Sequence, residues 1–374
     1  MKSSRRIDGI PMSGIRKMFD LAGPGSINLG LGEPDLAPPQ AAIDGMCDAA
    51  RSGCNRYGPT AGLPELRDAI AAYFSRYGEM QGRNIMVTPS GSTALLEVTQ
   101  AMIDPGDEVL VPSPGFVIYS PHVRLAGGVP VEYRLTDGDF QPDIADIESK
   151  ITPRTTMIVV NTPSNPTGGV MTQETKDALV DLAWEHDLTI LSDEVYCGFV
   201  YEGAHVSFMD SPECAVVVNG FSKMMAVTGW RLGFVFANDE MMDPLIKMQY
   251  HVCACPNTPA MHGVLNALPG IDPYLEEARA VFKRRRDLIC SRLNGIPGMH
   301  IEPPRGAFYA FPSYDADIPS QELANELARA GLICTPGSAF GSYGEGHLRF
   351  SYAADVEKIS KGMDILSDVM SRLS

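Results

Sequence analysis

In the middle of the chain, segments with two different hydrophobic patterns alternate. Between residues 84 and 236, short runs rich in β-branched and aromatic residues alternate with segments whose apolar positions recur every three or four residues. This alternation is typical of an α/β fold, because parallel strands are joined by crossover connections that are usually helices. We therefore predict a mainly parallel seven-stranded sheet flanked by helices, with strands in NIMVT, EVLVP, VPVEYRL, TTMIVVN, LTILSDE, AVVVNG and LGFVFAN.

Two of the intervening segments have helical spacing. Residues 172–187 carry apolar residues at helical intervals between two predicted strands, which predicts a helix in a right-handed crossover. Residues 92–102 predict a second helix, which follows the strand ending at Thr88 after a Ser/Gly turn suited to an N-cap.

The pattern changes after about residue 270. A long charged helical stretch over residues 273–293 precedes shorter strands in GAFYAFP and HLRFSYA, which indicates a smaller α+β domain. At 374 residues the chain exceeds the usual single-domain size, so two domains are expected. We predict a Gly- and Pro-rich N-terminal arm with part of the small domain (1–44), a large domain (45–270) and a small C-terminal domain (271–374).

The charge balance argues against several kinds of partner. The chain has 30 Lys plus Arg against 46 Asp plus Glu, and its net charge of -16 repels nucleic acid and anionic membranes. The basic run at residues 283–286 falls in a helical pattern and is predicted to be a solvated helix face. No stretch reaches the roughly 18 consecutive apolar residues of a membrane span, and the N-terminus has no apolar signal core. We expect a cytoplasmic protein without nucleic-acid or membrane partners.

The eight cysteines have no regular spacing. Several lie in apolar surroundings, which favours reduced thiols. Cys253 and Cys255 form a C-x-C pair, but no second Cys/His pair of zinc-site spacing accompanies it. We therefore expect no metal site.

Open parallel sheets bind ligands beyond the carboxyl ends of their strands, and polar residues occupy four such places. The first is the turn Ser90, Gly91, Ser92 and Thr93, whose N–H groups at a helix start could cradle a phosphate or serve only as a cap.

The second place is NTPSNPTGG, where Pro163 and Pro166 restrict the backbone on both sides of Asn165. A rigid turn and a fixed amide that binds a ligand are both compatible with this sequence.

The third place is LSDEVYCGF, where Asp193 and Tyr196 share one side if a helical turn begins there. Asp193 could cap a helix, but the apolar run before it indicates a buried carboxylate, which requires a charged or hydrogen-bonding partner.

The fourth place is VNGFSKMMAVTGWRLGF, where Lys223 follows a strand among apolar neighbours. Desolvation favours the neutral amine, which attacks aldehydes, although the side chain could also extend past its neighbours to solvent. Arg231, eight residues later, offers a planar donor group suited to phosphate.

These motifs in this order resemble the class I and II aminotransferases of pyridoxal-phosphate (PLP) fold type I. The likeness runs from LGLGEPD at residue 29 through YGPTAGLPELR, the GST turn, SPGFVIY, NTPSNPTG, SDEVY, SKMMAVTGWRLG and GAFYAFP to HLRFSYA at residue 347. The resemblance implies a PLP enzyme that moves an amino group from an L-amino acid to a 2-oxo acid, with 2-oxoglutarate as the expected acceptor.

The resemblance also implies the catalytic roles. Lys223 would form a Schiff base with PLP and, once freed by substrate, carry the proton between the substrate Cα and the C4′ carbon of the cofactor. Asp193 would pair with the pyridinium nitrogen and keep it protonated. Tyr196 and Asn165 would bond to the phenolic oxygen of the ring, and Phe116 would stack on its face.

The remaining implied contacts concern the phosphate and the substrate. The phosphate would bind the amides of Ser92 and Thr93 beside Gly91, with donors from Ser222 and Arg231. Tyr57 would reach the phosphate of a neighbouring subunit, which implies a homodimer with shared active sites. Arg349 would grip the substrate α-carboxylate, near the backbone of Gly32, and the small domain would close over the substrate.

Substrate choice stays open within this resemblance. Some aspartate-using members carry a Lys where this chain has Thr93, although Arg16 or Arg305 could replace it. A C–S β-lyase or related synthase would use the same residues. Two further alternatives are weaker: a regulatory ligand sensor lacks room for a DNA-binding domain before residue 28, and a nucleotide-binding protein lacks a phosphate-binding fingerprint.

Overall fold

The computed structural model describes residues 3–10, 12, 14, 18, 23 and 25–373. The strands, in chain order, are β1 (Ile27–Asn28), β2 (Ile85–Thr88), β3 (Glu108–Ser113), β4 (Val129–Arg134), β5 (Thr155–Asn161), β6 (Thr189–Asp193), β7 (Ala215–Gly220), β8 (Gly233–Phe236), β9 (Met299–His300), β10 (Tyr309–Ala310), β11 (Ser313–Tyr314), β12 (Leu332–Ile333), β13 (Thr335–Pro336) and β14 (Leu348–Ser351).

The helices include short and long elements. They are α1 (Arg5–Asp8), α2 (Gln40–Arg51), α3 (Pro64–Phe74), α4 (Gly91–Met102), α5 (Tyr119–Ala126), α6 (Ile144–Lys150), α7 (Gln173–His186), α8 (Phe221–Met224), α9 (Asp239–Cys253), α10 (Thr258–Ala267), α11 (Asp272–Asn294), α12 (Ser320–Arg329) and α13 (Val356–Met370). The predicted helices at 172–187, 92–102 and 273–293 correspond to α7, α4 and α11. The observed ends lie within one residue of the predicted ends in all three helices.

The main sheet has seven strands in the order β2-β8-β7-β6-β5-β3-β4. Its neighbours pair in parallel except around β8, which is antiparallel to β7 and β2. Each strand lies within or next to one of the seven predicted runs, so the predicted mainly parallel seven-stranded sheet is confirmed.

Both faces of this sheet are buried. On β5, Ile158 and Val160 pack into one hydrophobic core, whereas Met157 and Val159 pack into a second core on the opposite face. Because successive side chains of a strand point to opposite faces, a sheet covered on both sides needs apolar residues at nearly every position. This requirement explains the continuous apolar runs of the sequence.

A second region is built from small sheets and helices. β14 pairs antiparallel with both β10 and β13, and β9 pairs with β11. β1 pairs in parallel with β12, so the N-terminal strand joins this C-terminal region. Helix α2 crosses the predicted boundary at residue 44 and packs on α10 through the hydrogen bond from Asn266 to the Ala41 carbonyl (2.8 Å). The proposed domain limits stay a prediction.

The basic run at residues 283–286 differs from the prediction. Arg285 and Arg286 are buried on α11, where Arg285 pairs with Asp35 (2.6 Å) and Arg286 with Glu202 (2.7 Å). The prediction of a solvated face is therefore wrong for these two residues, because acidic partners distant in sequence meet them in the fold.

Within the described ranges, no helix is both long and apolar enough to cross a membrane.

Candidate active site

A cavity of about 280 Å³ lies where β5, β6 and β7 end and α4 begins. Residues from all four of the places described in the sequence analysis line this cavity, together with residues from the start and the C-terminal region of the chain. The predicted site residues that line it are Gly32, Gly91, Ser92, Phe116, Asn165, Asp193, Tyr196, Ser222, Lys223, Arg231 and Arg349.

Lys223 lies on α8, which begins directly after β7. Its Nζ donates to the Gly32 carbonyl at 2.7 Å. Burial, assisted by the nearby charges of Arg231 and Arg349, lowers the pKa of Lys223 to about 8, while Glu33 acts in the opposite direction. A substantial fraction of the amine is therefore neutral near physiological pH, as a nucleophile for a carbonyl requires.

Asp193 ends β6, and its side chain is buried. Its Oδ2 accepts from the Tyr119 hydroxyl at 2.8 Å, and its Oδ1 accepts from the Val195 N–H at 3.3 Å. Burial, with a contribution from Glu194, raises the pKa of Asp193 to about 6. Among the ion pairs of the described residues none involves Asp193, so a cationic group bound in the cavity would find an uncompensated carboxylate.

The neighbouring carboxylate, Glu194, holds the end of β6 in place. Its two oxygens accept from Ser192, Ser207, His205 Nε2 and the Phe208 N–H at distances from 2.7 to 3.0 Å. Four hydrogen bonds to one buried carboxylate rigidify its surroundings. The backbone that carries the Asp193 side chain is therefore held in a fixed position.

The Ser90–Thr93 turn presents backbone donors to the cavity. Ser90 Oγ caps α4 by accepting from the Thr93 N–H at 3.1 Å, whereas the N–H groups of Gly91 and Ser92 have no partner among the described residues. Gly233 allows β8 to pass close behind, because a Cβ there would lie 2.5 Å from the Gly91 nitrogen. Free N–H groups at a helix start bind anions.

Arg349 lies on β14 and is buried without a carboxylate partner among the described residues. One guanidinium nitrogen donates to Asn165 Oδ1 at 2.8 Å, and another donates to the Gly30 carbonyl. The Nε has no hydrogen-bond partner in the part of the chain that the structure describes. Burial lowers the pKa of Arg349 from its ordinary value, but a guanidinium stays charged, so this group favours an incoming carboxylate.

Comparison with known proteins agrees with this geometry. The family model "Aminotransferase class I and II" matches residues 24–366. The chain belongs to the class I and II aminotransferases. It is 38% identical to an aromatic-amino-acid aminotransferase 2 of Thermococcus litoralis and to an aspartate aminotransferase of Pyrococcus abyssi, in each case over 99% of this chain and 98% of the relative. The structure of an alanine aminotransferase from Pyrococcus furiosus matches with a TM-score of 0.95 and 35% identity, covering 99% of this chain and all of the other.

These matches establish the aminotransferase as an enzyme of a PLP-dependent family. The predicted transferase activity is confirmed, and the relatives named above give no support to the lyase alternative.

Two predicted residues of the aminotransferase lie away from the cavity. The Thr93 N–H is already engaged by Ser90, and its hydroxyl donates to the Pro89 carbonyl at 2.8 Å. Gly91 and Ser92 are therefore the amides that this turn offers to an anion. Tyr57 is 90% exposed and lies beside residues 255–259. Its predicted contact with a neighbouring subunit stays a prediction.

Arg305 and Arg16 were the predicted candidates for binding a second substrate carboxylate, and the structure describes only Arg305. Arg305 does not line the cavity, and its guanidinium lies near Gly203. Arg16 lies outside the described residues. Within the described part of the cavity wall, the cationic side chains are Lys223, Arg231 and Arg349.

Several polar residues of the site were not among the predictions, and three of them bond to residues that were. Tyr119 bonds to Asp193, Asn161 accepts from the Asn165 N–H at 2.7 Å, and Tyr309 lies 2.7 Å from Tyr196, hydroxyl to hydroxyl. Tyr119 and Tyr309 belong to motifs that the sequence shows, SPGFVIY and GAFYAFP. Their partners are distant in sequence, so the pattern gave no sign of these contacts.

Asp193→Asn is expected to stabilise the cofactor-free aminotransferase at pH 8 by about 1 to 3 kcal/mol. Folding raises the pKa of Asp193 from 3.8 to about 6, so stability is lost as pH rises from about 4 to 6, and the full cost of the buried carboxylate is present at pH 8. Below about pH 4 the carboxyl is protonated in both states and the advantage of Asn disappears. Urea unfolding of the cofactor-free protein at both pH values measures the difference. The exposed Asp181→Asn is the control, and an equal gain at low and high pH would contradict the explanation.

Proposed function

We propose that this aminotransferase uses PLP bound to Lys223 and moves an amino group from an L-amino acid to 2-oxoglutarate. One observation carries the proposal: a readily deprotonated amine and an uncompensated buried carboxylate line the same cavity. The aldehyde and the ring nitrogen of PLP lie on opposite sides of its ring and require these two groups. When bound, PLP supplies an electron sink for the electrons left when the substrate Cα loses its proton.

Lys223 has two roles in this proposal. Its neutral amine, available because of the lowered pKa, forms the covalent link to the cofactor. Its Nζ, once free, would accept the proton of the substrate Cα and would donate a proton at the cofactor carbon C4′. Within the cavity, the Gly32 carbonyl is the acceptor that holds Nζ in place.

Asp193 holds a proton on the ring nitrogen in this proposal. Ionisation of Asp193 is unfavourable while it lacks a cationic partner, and a pyridinium would compensate the charge. Tyr119 keeps one carboxylate oxygen oriented.

The remaining cofactor contacts follow the cavity wall. Gly91 and Ser92 offer backbone N–H groups to the phosphate, with Ser222 and Arg231 beside them. Tyr196 and Asn165 would bind the ring oxygen, and Phe116 would cover one ring face. These assignments are supported by the shared cavity.

Arg349 would bind the α-carboxylate of both the amino donor and the 2-oxo acceptor. Its uncompensated charge and free Nε are suited to a carboxylate, and Asn165 orients the guanidinium. Both substrates use the same group because they bind in turn to one site.

A donor screen tests the proposal. The PLP-loaded protein is incubated with 2-oxoglutarate and aspartate, phenylalanine, tyrosine or alanine, the donors suggested by the names of the relatives. Glutamate formed in a 1:1 ratio to the 2-oxo acid of the donor, without ammonia, is the expected result. A 2-oxo acid that forms only to one equivalent per active site, without glutamate, would overturn 2-oxoglutarate as the amino acceptor.

We also propose a homodimer in which Tyr57 binds the cofactor phosphate of the partner subunit. The exposure of Tyr57, and of Tyr250 and Val252 near residues 255–259 in sequence, supports a surface that a second copy covers.

Tyr57→Ala is expected to weaken PLP binding about tenfold, the effect of losing one hydrogen bond to a charged group. If Tyr57 acts across subunits, mixing Tyr57→Ala with the inactive Lys223→Ala variant restores one intact site per heterodimer. Titration of PLP by absorbance measures the affinity, and assays of the mixed variants measure the restored sites. Mixtures that show only the summed activities of the separate variants would contradict the shared site.

A further inference from the structure

Tyr309 lies at the meeting point of three groups of the active site. It begins β10 and is buried. Its hydroxyl lies 2.7 Å from that of Tyr196, and it lies against Gly32, where an added Cβ would be 1.8 Å from the Tyr309 oxygen. The guanidinium carbon of Arg349 stands 4.6 Å from the centre of its ring.

The strand register explains why Tyr309 and Arg349 meet. Tyr309 pairs with Ser351 across β10 and β14, so Arg349, two residues from Ser351, lies diagonally on the same face. Tyr196 belongs to the turn after β6, so the hydroxyl pair joins the C-terminal region to the main sheet.

The number of protons decides the direction of the hydroxyl pair. A phenol has one proton to donate. Burial raises the pKa values of both Tyr196 and Tyr309, so both are neutral and each has its proton. If Tyr196 donates to the ring oxygen of the cofactor, it cannot also donate to Tyr309, and the short contact then requires Tyr309 to be the donor.

We propose that Tyr309 is a positioning residue that donates to Tyr196 and thereby directs the Tyr196 proton to the ring oxygen of the cofactor. This inference rests on the proposed function, because Tyr196 needs the cofactor as its acceptor. A hydroxyl that accepts a hydrogen bond becomes a stronger donor, so Tyr309 strengthens the hold on the ring oxygen without touching it. The positive charge of Arg349 over the Tyr309 ring favours donation by its hydroxyl.

The test is the pH midpoint of the visible absorption change of the PLP-loaded protein. This midpoint reports the proton shared between the Lys223 nitrogen and the ring oxygen. Tyr309→Phe keeps the ring and removes only the hydroxyl, so the ring oxygen loses stabilisation as an anion and the proton is held more tightly. We expect the midpoint to rise by about half a pH unit, a threefold change in proton affinity.

Tyr352→Phe is the matched control. Tyr352 is equally buried, and its hydroxyl donates to the Ala307 carbonyl at 3.3 Å without lining the cavity. This variant should leave the midpoint unchanged even if it lowers the melting temperature, whereas an equal rise would show that the midpoint follows general packing and would overturn the proposal.

A double variant tests whether Tyr309 acts through Tyr196. Tyr196→Phe alone should raise the midpoint more than Tyr309→Phe, and adding Tyr309→Phe to it should change nothing further. An unchanged midpoint in Tyr309→Phe, or the same shift in the Tyr196→Phe background, would overturn the inference while the proposed function stands. If the wild type forms no covalent chromophore at all, the proposed function fails and the inference fails with it.

Discussion

Lys223→Ala is expected to lower the rate of amino transfer by about four orders of magnitude or more and to remove the borohydride-reducible visible chromophore. The variant loses both the covalent attachment point and the only lysine that lines the described cavity wall. PLP should still bind weakly through the phosphate contacts, because Gly91, Ser92 and Arg231 are untouched. Mass spectrometry after borohydride reduction and single-turnover kinetics measure the two losses.

The control replaces Lys247, an exposed lysine on α9. Lys247→Ala should retain the chromophore and the rate. A reduced adduct that persists in Lys223→Ala would assign the covalent link to another lysine and refute the site. Because Lys223 has a pKa of about 8, capture of PLP by the cofactor-free wild type should also accelerate as pH rises from 7 to 9.

Arg349→Lys is expected to raise KM for both the amino donor and the 2-oxo acceptor by roughly 100-fold, about 2.7 kcal/mol. An ammonium cannot reproduce the planar pair of donors, and it leaves Asn165 Oδ1 and the Gly30 carbonyl without their present partner. The chromophore should persist, because these contacts concern the substrate. Steady-state kinetics with each substrate varied in turn provide the measurement.

Arg286→Lys is the matched control for this substitution. Arg286 is also buried, but it pairs with Glu202 and does not line the cavity. It should lose stability and leave both KM values unchanged. If Arg349→Lys altered the KM of only one of the two substrates, the shared carboxylate site would be wrong.

The main sheet was predictable because its physical requirement is local. A strand covered on both faces must be apolar throughout, and runs such as TTMIVVN state this directly, so β5 has the bounds that the pattern predicts. The four loops could be located for a related reason. Each follows a strand of one sheet, and the ends of parallel strands gather at one edge.

Contacts between distant segments were not predictable from the pattern. The Tyr309–Tyr196 pair depends on how β10 meets the turn after β6, and the burial of Arg285 depends on Asp35, 250 residues away in sequence. The sequence also did not show which residue caps α4. Both Ser90 and Thr93 are plausible caps, and the backbone geometry that gives Ser90 the capping role, with a φ of 104°, is not visible in the sequence.

The hydrogen bond between Asn165 and Arg349 joins a loop of the main sheet to a strand of the C-terminal region. If the last hundred residues are exchanged for those of a relative, the new segment must therefore supply an arginine and also place it correctly. The chimaera must seat its arginine against the amide of the recipient to within a few tenths of an ångström, or the hybrid will fold and yet hold its reactants loosely.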